Sequence, residues 1–441
     1  MSAIQNRWVI AFAGIVVMLC VGTVYSWSIF TNVFVAGFKW STQETTLAFE
    51  LAIFFLGLGA FFGGRWQDRV GPRTVTIVGV ILWGAGVMFA GLGTFGLGKI
   101  WLYATYGVLG AFGGGMAYVT PVTMVTKWFP DRRGLGSGMV VMGFGLGAFV
   151  YNQIVSRLGI YKAAAKPAGA YVKAKAEALK GGTLFDPSQY ALTADQVHGV
   201  LTIFTISGLV FIIVGGLAAL VLRNPDTAAA PASASGATIA NASFTLGEAL
   251  RMPQLYGLWL LLFLNVTAGI LIISNAAPIY SELTGAAPAV AAQIYGGLAI
   301  FNALGRFFWG TVSDRIGRNL TYTIMYLIQA LAFFFMAKVG GGLVGVGILI
   351  AIVLLCYGGG FGVMPSFNAD YFGTKYMGEI YGFILTAWGV AGLVDPFIAA
   401  RVKDATGSYA GALIPVAVML LIASVIPFFV KKPPARPAES V

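Results

Sequence analysis

Histidine is nearly absent from this sequence, with one residue, His198, in 441. That leaves no cluster of imidazoles to hold a metal and sets aside most soluble metalloenzyme chemistry. Cysteine is almost as scarce. Both copies, Cys20 and Cys356, lie inside apolar runs, which implies neither a disulfide framework nor a metal site. Charge is missing too: Asp, Glu, Lys and Arg make up 10% of the chain, against about a quarter in a typical soluble domain. Too few polar side chains remain to cover a water-facing surface. The run Gly93-Thr94-Phe95-Gly96-Leu97-Gly98-Lys99-Ile100 nearly spells a phosphate loop, but Ile100 stands where Ser or Thr must hold magnesium. The run Gly143-Phe144-Gly145-Leu146-Gly147 reads as helix packing, not as a dinucleotide fingerprint. An intramembrane enzyme would need paired acids or a His/Cys pair at mid-membrane, and the sequence offers neither. The chain is therefore expected to be no enzyme and to carry no cofactor or metal.

What the chain has in quantity is hydrophobic residues, 58% of the total, and 60 glycines. Long apolar helices are the expected response to lipid, where every backbone group must be paired within its own segment. Glycine lets such helices approach closely. A ~30 Å hydrocarbon layer takes about 20 residues to cross. Twelve spans are predicted, at 8–33, 45–64, 74–96, 100–126, 135–157, 198–222, 254–276, 291–312, 320–338, 342–366, 378–400 and 409–430. The first, starting at Trp8, is too long for a signal-peptide core.

An even number of spans puts both termini on one side, and the basic residues choose which. On the side of the termini stand 15 Lys and Arg, against 11 opposite, six of them in the single loop 157–197. Basic segments stay cytoplasmic, so both termini are predicted there, in a bacterial-type inner membrane. This distribution also accounts for the net charge of +11, since the charges form short clusters and no continuous face for nucleic acid.

Two stretches lie outside the spans. The Ala- and Lys-rich segment 158–197 reads as a solvated insert with no apolar face to bury, with room for a short amphipathic helix. The small-residue and Ser-rich stretch within 223–252 reads as a cytoplasmic linker. It separates an N-terminal bundle, 1–222, from a C-terminal bundle, 253–441, each of six helices.

The strongest signal is a repeat. Gly64-Arg65-Trp66-Gln67-Asp68-Arg69-Val70-Gly71 follows the second span, and Gly310-Thr311-Val312-Ser313-Asp314-Arg315-Ile316-Gly317 follows the eighth. A duplicated six-helix unit places a binding site between its halves near the bilayer midplane. Gly71 and Gly317 permit a sharp turn. Asp68 and Asp314 can cap a helix or pair with a cation, while Arg69, Arg73, Arg315 and Arg318 can bind carbonyls at neighbouring helix ends. Together they are expected to form an inner gate that breaks when the cytoplasmic side opens.

This duplicated loop resembles the signature of the major facilitator superfamily, and twelve helices with a central linker match that fold. The run Trp128-Phe129-Pro130-Asp131-Arg132-Arg133-Gly134-Leu135-Gly136-Ser137-Gly138 is similar to the start of helix five in monocarboxylate transporters and oxalate:formate antiporters. Leu250-Arg251-Met252-Pro253-Gln254 looks like the antiporter branch. The resemblance implies an all-α membrane protein, a secondary transporter built as two pseudo-symmetric six-helix bundles. Gly134/Gly138 and Gly143/Gly147 are small-xxx-small pairs suited to close helix packing.

Arg306 is the one Lys or Arg in the interior of a predicted span, since Arg157 and Lys338 stand at the very ends of theirs, and a cation at mid-membrane costs about 2.5–3.5 kcal/mol even on a lenient scale. Either it snorkels to the headgroups, or its guanidinium faces a central cavity and grips a carboxylate through two parallel hydrogen bonds. The resemblance implies the second, since both families carry a substrate-binding arginine there. Asn302, one turn before it, could orient the guanidinium or touch substrate. The antiporters' helix-eleven lysine is replaced here by Trp388. One buried cation suits one carboxylate group, which favours a monocarboxylate such as lactate, pyruvate, acetate or formate over oxalate. Tyr25, Tyr118, Tyr357 and Phe361 align with cavity aromatics of the antiporter family, Tyr118 and Tyr357 also fit monocarboxylate transporters, and Leu146 is a further candidate for the apolar wall.

Coupling is left open between proton symport and anion exchange, with oxalate:formate or related exchange as the alternative function. The aspartate that monocarboxylate transporters place before the arginine is Asn302 here, and their helix-one lysine is absent. Asp395 and Glu50 are the remaining acids near the membrane. A proton could instead ride on the substrate–Arg306 pair. The expected partners are the carboxylate, a proton and the lipid bilayer, with the chain as a monomer.

Overall fold

The computed structural model describes residues 6–182, 184–225, 243–286, 288–339, 342–406 and 410–434. The core of the predicted linker, 226–242, lies outside the described residues. In chain order the helices are α1 (Arg7–Gly22), α2 (Trp27–Phe38), α3 (Thr42–Val70), α4 (Pro72–Leu102), α5 (Ala111–Trp128), α6 (Arg133–Val155), α7 (Gly159–Gly181) and α8 (Ala194–Ala219). The second half follows with α9 (Leu246–Ala249), α10 (Pro253–Thr284), α11 (Pro288–Leu298), α12 (Ile300–Ile316), α13 (Arg318–Val339), α14 (Leu343–Phe372), α15 (Met377–Thr406), α16 (Leu413–Ala423) and α17 (Ile426–Phe429).

Nine helices among the described residues are long and apolar enough to cross a bilayer, and one of them, Pro72–Trp128, covers both the third and fourth predicted spans. The eighth span is divided into α11 and α12, and the twelfth is the shorter apolar stretch Leu413–Phe429. That makes twelve crossings. The helices overrun the predicted ends because polar caps lie beyond the apolar runs. Ser41 and Glu44 form a capping box ahead of α3, and Thr193 and Gln196 do the same ahead of α8. The near-match to a phosphate loop is helical, interrupted only at Gly98, whose φ is 72°.

Each repeat loop turns on its glycine. Gly71 has φ 89° and Gly317 φ 87°, values an L side chain rarely adopts, so the tight reversal depends on glycine at both places. The first span is broken at a short 3₁₀ turn, Thr23–Ser26. The freed carbonyl of Cys20 accepts from Thr23 Oγ1 at 2.8 Å and from Trp83 Nε1 at 3.0 Å. This break aims Tyr25 inward.

One expectation is overturned. The segment 158–197 is not a solvated insert: α7 packs against α2 and α8. Ala164, Ala168 and Tyr171 recur at helical spacing and are buried, and Tyr161 Oη donates to the Ile29 carbonyl of α2 at 2.8 Å. Alanine is small but apolar, and a stripe of it gives the helix a face to bury.

The halves meet along two pseudo-equivalent seams, α3 against α15 and α6 against α12. Both are closest at the end carrying the repeat loops, called here the loop end. A Cβ placed on Gly134 would lie 2.1 Å from the Gly310 carbonyl oxygen, and one on Gly378 would lie 2.4 Å from that of Gly64. The two small-residue pairs of α6 serve different partners. Gly134 and Gly138 face α12, while Gly143 and Gly147 face α1.

Candidate functional site

The centre of the molecule is an aromatic box around Arg306. Its backbone is fixed by close packing on both sides, since a Cβ on Gly138 or Gly362 would fall 2.5 or 2.1 Å from the Arg306 carbonyl oxygen. The side chain is 0% exposed. Its Cζ lies 5.1 Å from the Phe144 ring centroid and 5.0 Å from that of Phe361, so two ring faces hold the guanidinium. Arg306 Nε donates to Asn302 Oδ1 at 3.3 Å and Nη1 to the Val141 carbonyl at 3.4 Å. Both bonds are long. Nη2 has no hydrogen-bond partner among the described residues.

Trp388 closes the box. Its ring lies 5.5 Å from Tyr118, 5.5 Å from Phe144, 5.1 Å from Phe361 and 6.1 Å from Tyr25, so it touches aromatics of both halves. Three more buried donors here, Tyr118 Oη, Tyr381 Oη and Trp388 Nε1, make no well-aligned hydrogen bond among the described residues, although Tyr118 lies beside both Arg306 and Tyr381 and Trp388 lies beside Tyr25. Leaving a buried donor unmade costs about 1–3 kcal/mol, more when it is charged. Four of them together, one cationic and walled by aromatic rings, are a ready-made seat for an anion. Farther from the loop end the Tyr25 and Tyr357 hydroxyls meet at 2.7 Å, across the two halves.

The structure thus brings together Arg306, Asn302, Tyr25, Tyr118, Tyr357 and Phe361. It does not bring in Leu146, which is half-exposed while Phe144, two residues earlier, faces the box. On a helix two residues subtend about 200°, so the two side chains point opposite ways. Glu50 stands half-buried on α3 and makes no hydrogen bond or ion pair among the described residues. Asp395 falls on α15, and its side chain lies outside the described residues. Phe144, Trp388 and Tyr381 complete a site that residue type alone would not single out.

At the loop end each repeat aspartate reaches across to the other half. Asp68 accepts from the Gly378 and Glu379 backbone N–H groups at 3.2 and 2.9 Å, at the start of α15. Asp314 accepts from Gly134 and Leu135 at 2.9 and 2.8 Å, at the start of α6. A carboxylate at a helix N-terminus satisfies free donors and complements the helix dipole. The C-terminal copy is further braced: Arg318 pairs with Asp314 at 2.8 Å and with Asp370 at 2.9 Å, and Arg133 pairs with Asp370 at 2.8 Å. In the N-terminal copy Pro72 occupies the position of Arg318, and Asp68 makes no close ion pair among the described residues, with Lys127 attracting it only at longer range.

The expectation that the arginines bind helix-end carbonyls needs correction. Arg318 binds carboxylates, and Arg69, Arg73 and Arg315 are exposed with no ion pair among the described residues. Arg69 and Arg315 directly follow the aspartates, about 100° further round the helix, and so miss the seam.

The sequence profile of the Major Facilitator Superfamily matches residues 8–159 and 187–396. The oxalate:formate antiporter of Oxalobacter formigenes is 28% identical over 439 residues, covering 99% of this chain and 94% of that protein. Apicoplast pyruvate carrier 1 of Toxoplasma gondii is 25% identical over 484 residues, covering 92% of this chain and 85% of the carrier. Among solved structures, the E. coli fucose:proton symporter matches with a TM-score of 0.67 at 17% identity, over 98% of this chain and all of that one. With the duplicated loops, the twelve crossings and the central box between two halves, these matches make the chain a member of the Major Facilitator Superfamily, an integral membrane secondary transporter.

Proposed function

We propose that this transporter moves a small monocarboxylate, of the lactate, pyruvate or acetate type, across the bacterial inner membrane by alternating access. The carrying observation is the set of four buried donors at the box that make no well-aligned hydrogen bond among the described residues, with Arg306 at its centre. A carboxylate offers the two acceptors that Arg306 Nη2 and its neighbours lack. Its charge neutralises a guanidinium that meets no acid among the described residues. The aromatic walls take the short apolar remainder and exclude water. One cation, with no second one at the box among the described residues, suits one carboxylate group, and Trp388 adds a neutral donor.

In this reading the loop end faces the cytoplasm, where its basic residues belong. The two aspartate caps hold it shut while the box takes substrate from the opposite side, and opening the caps releases it inward.

A second reading is exchange of one carboxylate for another, as the name of the Oxalobacter relative states for that protein. It is favoured by the lack of an acid at the box among the described residues: an empty carrier must bury a bare cation, and a returning anion removes that cost. The deciding measurement is uptake of labelled L-lactate into proteoliposomes, with and without an inward proton gradient, for the parent and Arg306→Ala. Gradient-stimulated uptake lost in the variant supports the symporter. Uptake that needs a preloaded carboxylate supports exchange, and undiminished transport by Arg306→Ala would falsify the clamp.

A further inference from the structure

Asn368 of α14 is 0% exposed, and neither its amide nitrogen nor its amide oxygen has a hydrogen-bond partner among the described residues. A structural asparagine in a bilayer is normally paired. Asn265, in the same half, shows the contrast: it donates to the Tyr357 carbonyl at 3.0 Å and accepts from Gln329 at 3.1 Å. Asn368 is seven residues beyond Phe361, two helical turns on the same face and about 10 Å nearer the loop end. Two residues further, Asp370 belongs to the ion-pair brace. The unpaired amide therefore sits between the box and the gate. Pro365, between Phe361 and Asn368, lacks the N–H that would bond the Phe361 carbonyl, which leaves another polar group on this stretch of α14 without its helical partner.

We propose that Asn368 is a second carboxylate-binding station on the release path, which substrate meets after leaving Arg306 as the loop end opens; it rests on the carboxylate reading above. Transport needs binding favourable enough to capture cargo and weak enough to let it go, and successive sites meet both demands. Arg306 alone would hold an anion tightly. A neutral amide N–H makes a weaker bond than a guanidinium, so it can receive the carboxylate from Arg306 and yield it to water. In the closed state the amide is stranded, and opening supplies it with substrate or water. The geometry thus favours release as well as capture.

The test uses the purified full-length protein, with labelled L-lactate, formate and oxalate as probes. Equilibrium binding is measured in detergent and exchange turnover in proteoliposomes, for the parent, Asn368→Leu and Asn368→Ser. Asn368→Ala serves should leucine not be accommodated. A station on the release path predicts that Asn368→Leu keeps Kd within about twofold while turnover falls about tenfold, and that Asn368→Ser, which keeps a donor, recovers part of the loss. Parental turnover in Asn368→Leu overturns the station alone. So does a Kd that weakens in step with turnover, because the residue would then belong to the primary site or to the fold. A parent that neither binds nor exchanges any of the three anions overturns both the carboxylate reading and the ligand assigned to Asn368.

Discussion

Between Phe144 and Phe361 the side chain at 306 must be flat, since two ring faces approach it at 5.1 and 5.0 Å. A guanidinium fits that slot and still directs N–H groups along its edge; an ammonium is a compact, strongly hydrated point charge that does neither. Arg306→Lys therefore keeps the charge and loses the fork. Carboxylate affinity is expected to fall about tenfold or more, seen as a raised KM, with the protein still folded and inserted. Equal KM for both residues would mean that charge alone binds the substrate. Arg306 was legible in the sequence because a cation in an apolar run is conspicuous. Trp388 was placed there only by the resemblance, and Phe144 and Tyr381 were not legible, because aromatic residues abound in such helices and only packing distinguishes a wall from filler. Leu146 was misplaced for the same reason: a two-residue error turns a helix face around.

The repeat loops act as elements, each presenting one carboxylate to the first turn of a helix in the opposite half. Their unequal bracing has a measurable result. Asp314→Ala removes a cap and also breaks the close ion pair with Arg318, whereas Asp68→Ala removes a cap and only a looser attraction to Lys127. Losing a cap costs about 1 kcal/mol, and losing a partly buried ion pair adds to that. Asp314→Ala is expected to favour the state open at the loop end more strongly than Asp68→Ala does. Spin-label distances across α6 and α12 would read this, and equal shifts in the two variants would remove the asymmetry. The motif spacing announced the turns and the aspartates. It could not announce which helix each aspartate caps, because that contact joins residues 180 and 310 apart in the chain. The face of α7 was equally hidden, since alanine stripes score as neutral until a neighbour covers them.

Across the whole molecule, twelve crossings, the duplication and an interface between the two halves were all readable, because lipid demands long apolar helices and a repeat implies an interface between its copies. Closure of the halves depends on bare backbone meeting bare backbone at Gly134 and Gly310. Gly310→Val should wedge that seam apart while leaving each half folded. Exchange is expected to drop at least about tenfold, and a cysteine introduced at Tyr118 should become reactive to polar thiol reagents from the loop end. Cys20 and Cys356 are buried and need no replacement for that assay. Normal exchange by the valine variant would show that the seam does not close in the working cycle.

The sign of the charge at the centre also matters to the cell that hosts the protein. A membrane potential of about 100 mV stores roughly 2.3 kcal/mol for each elementary charge that crosses, and every alternating carrier risks becoming a leak for protons or sodium. A fixed guanidinium buried between the two halves repels cations much as the arginines of selective pores do. A cation could pass only alongside an anion that cancels Arg306, so in the proposed reading the residue that seats the cargo also insulates the membrane.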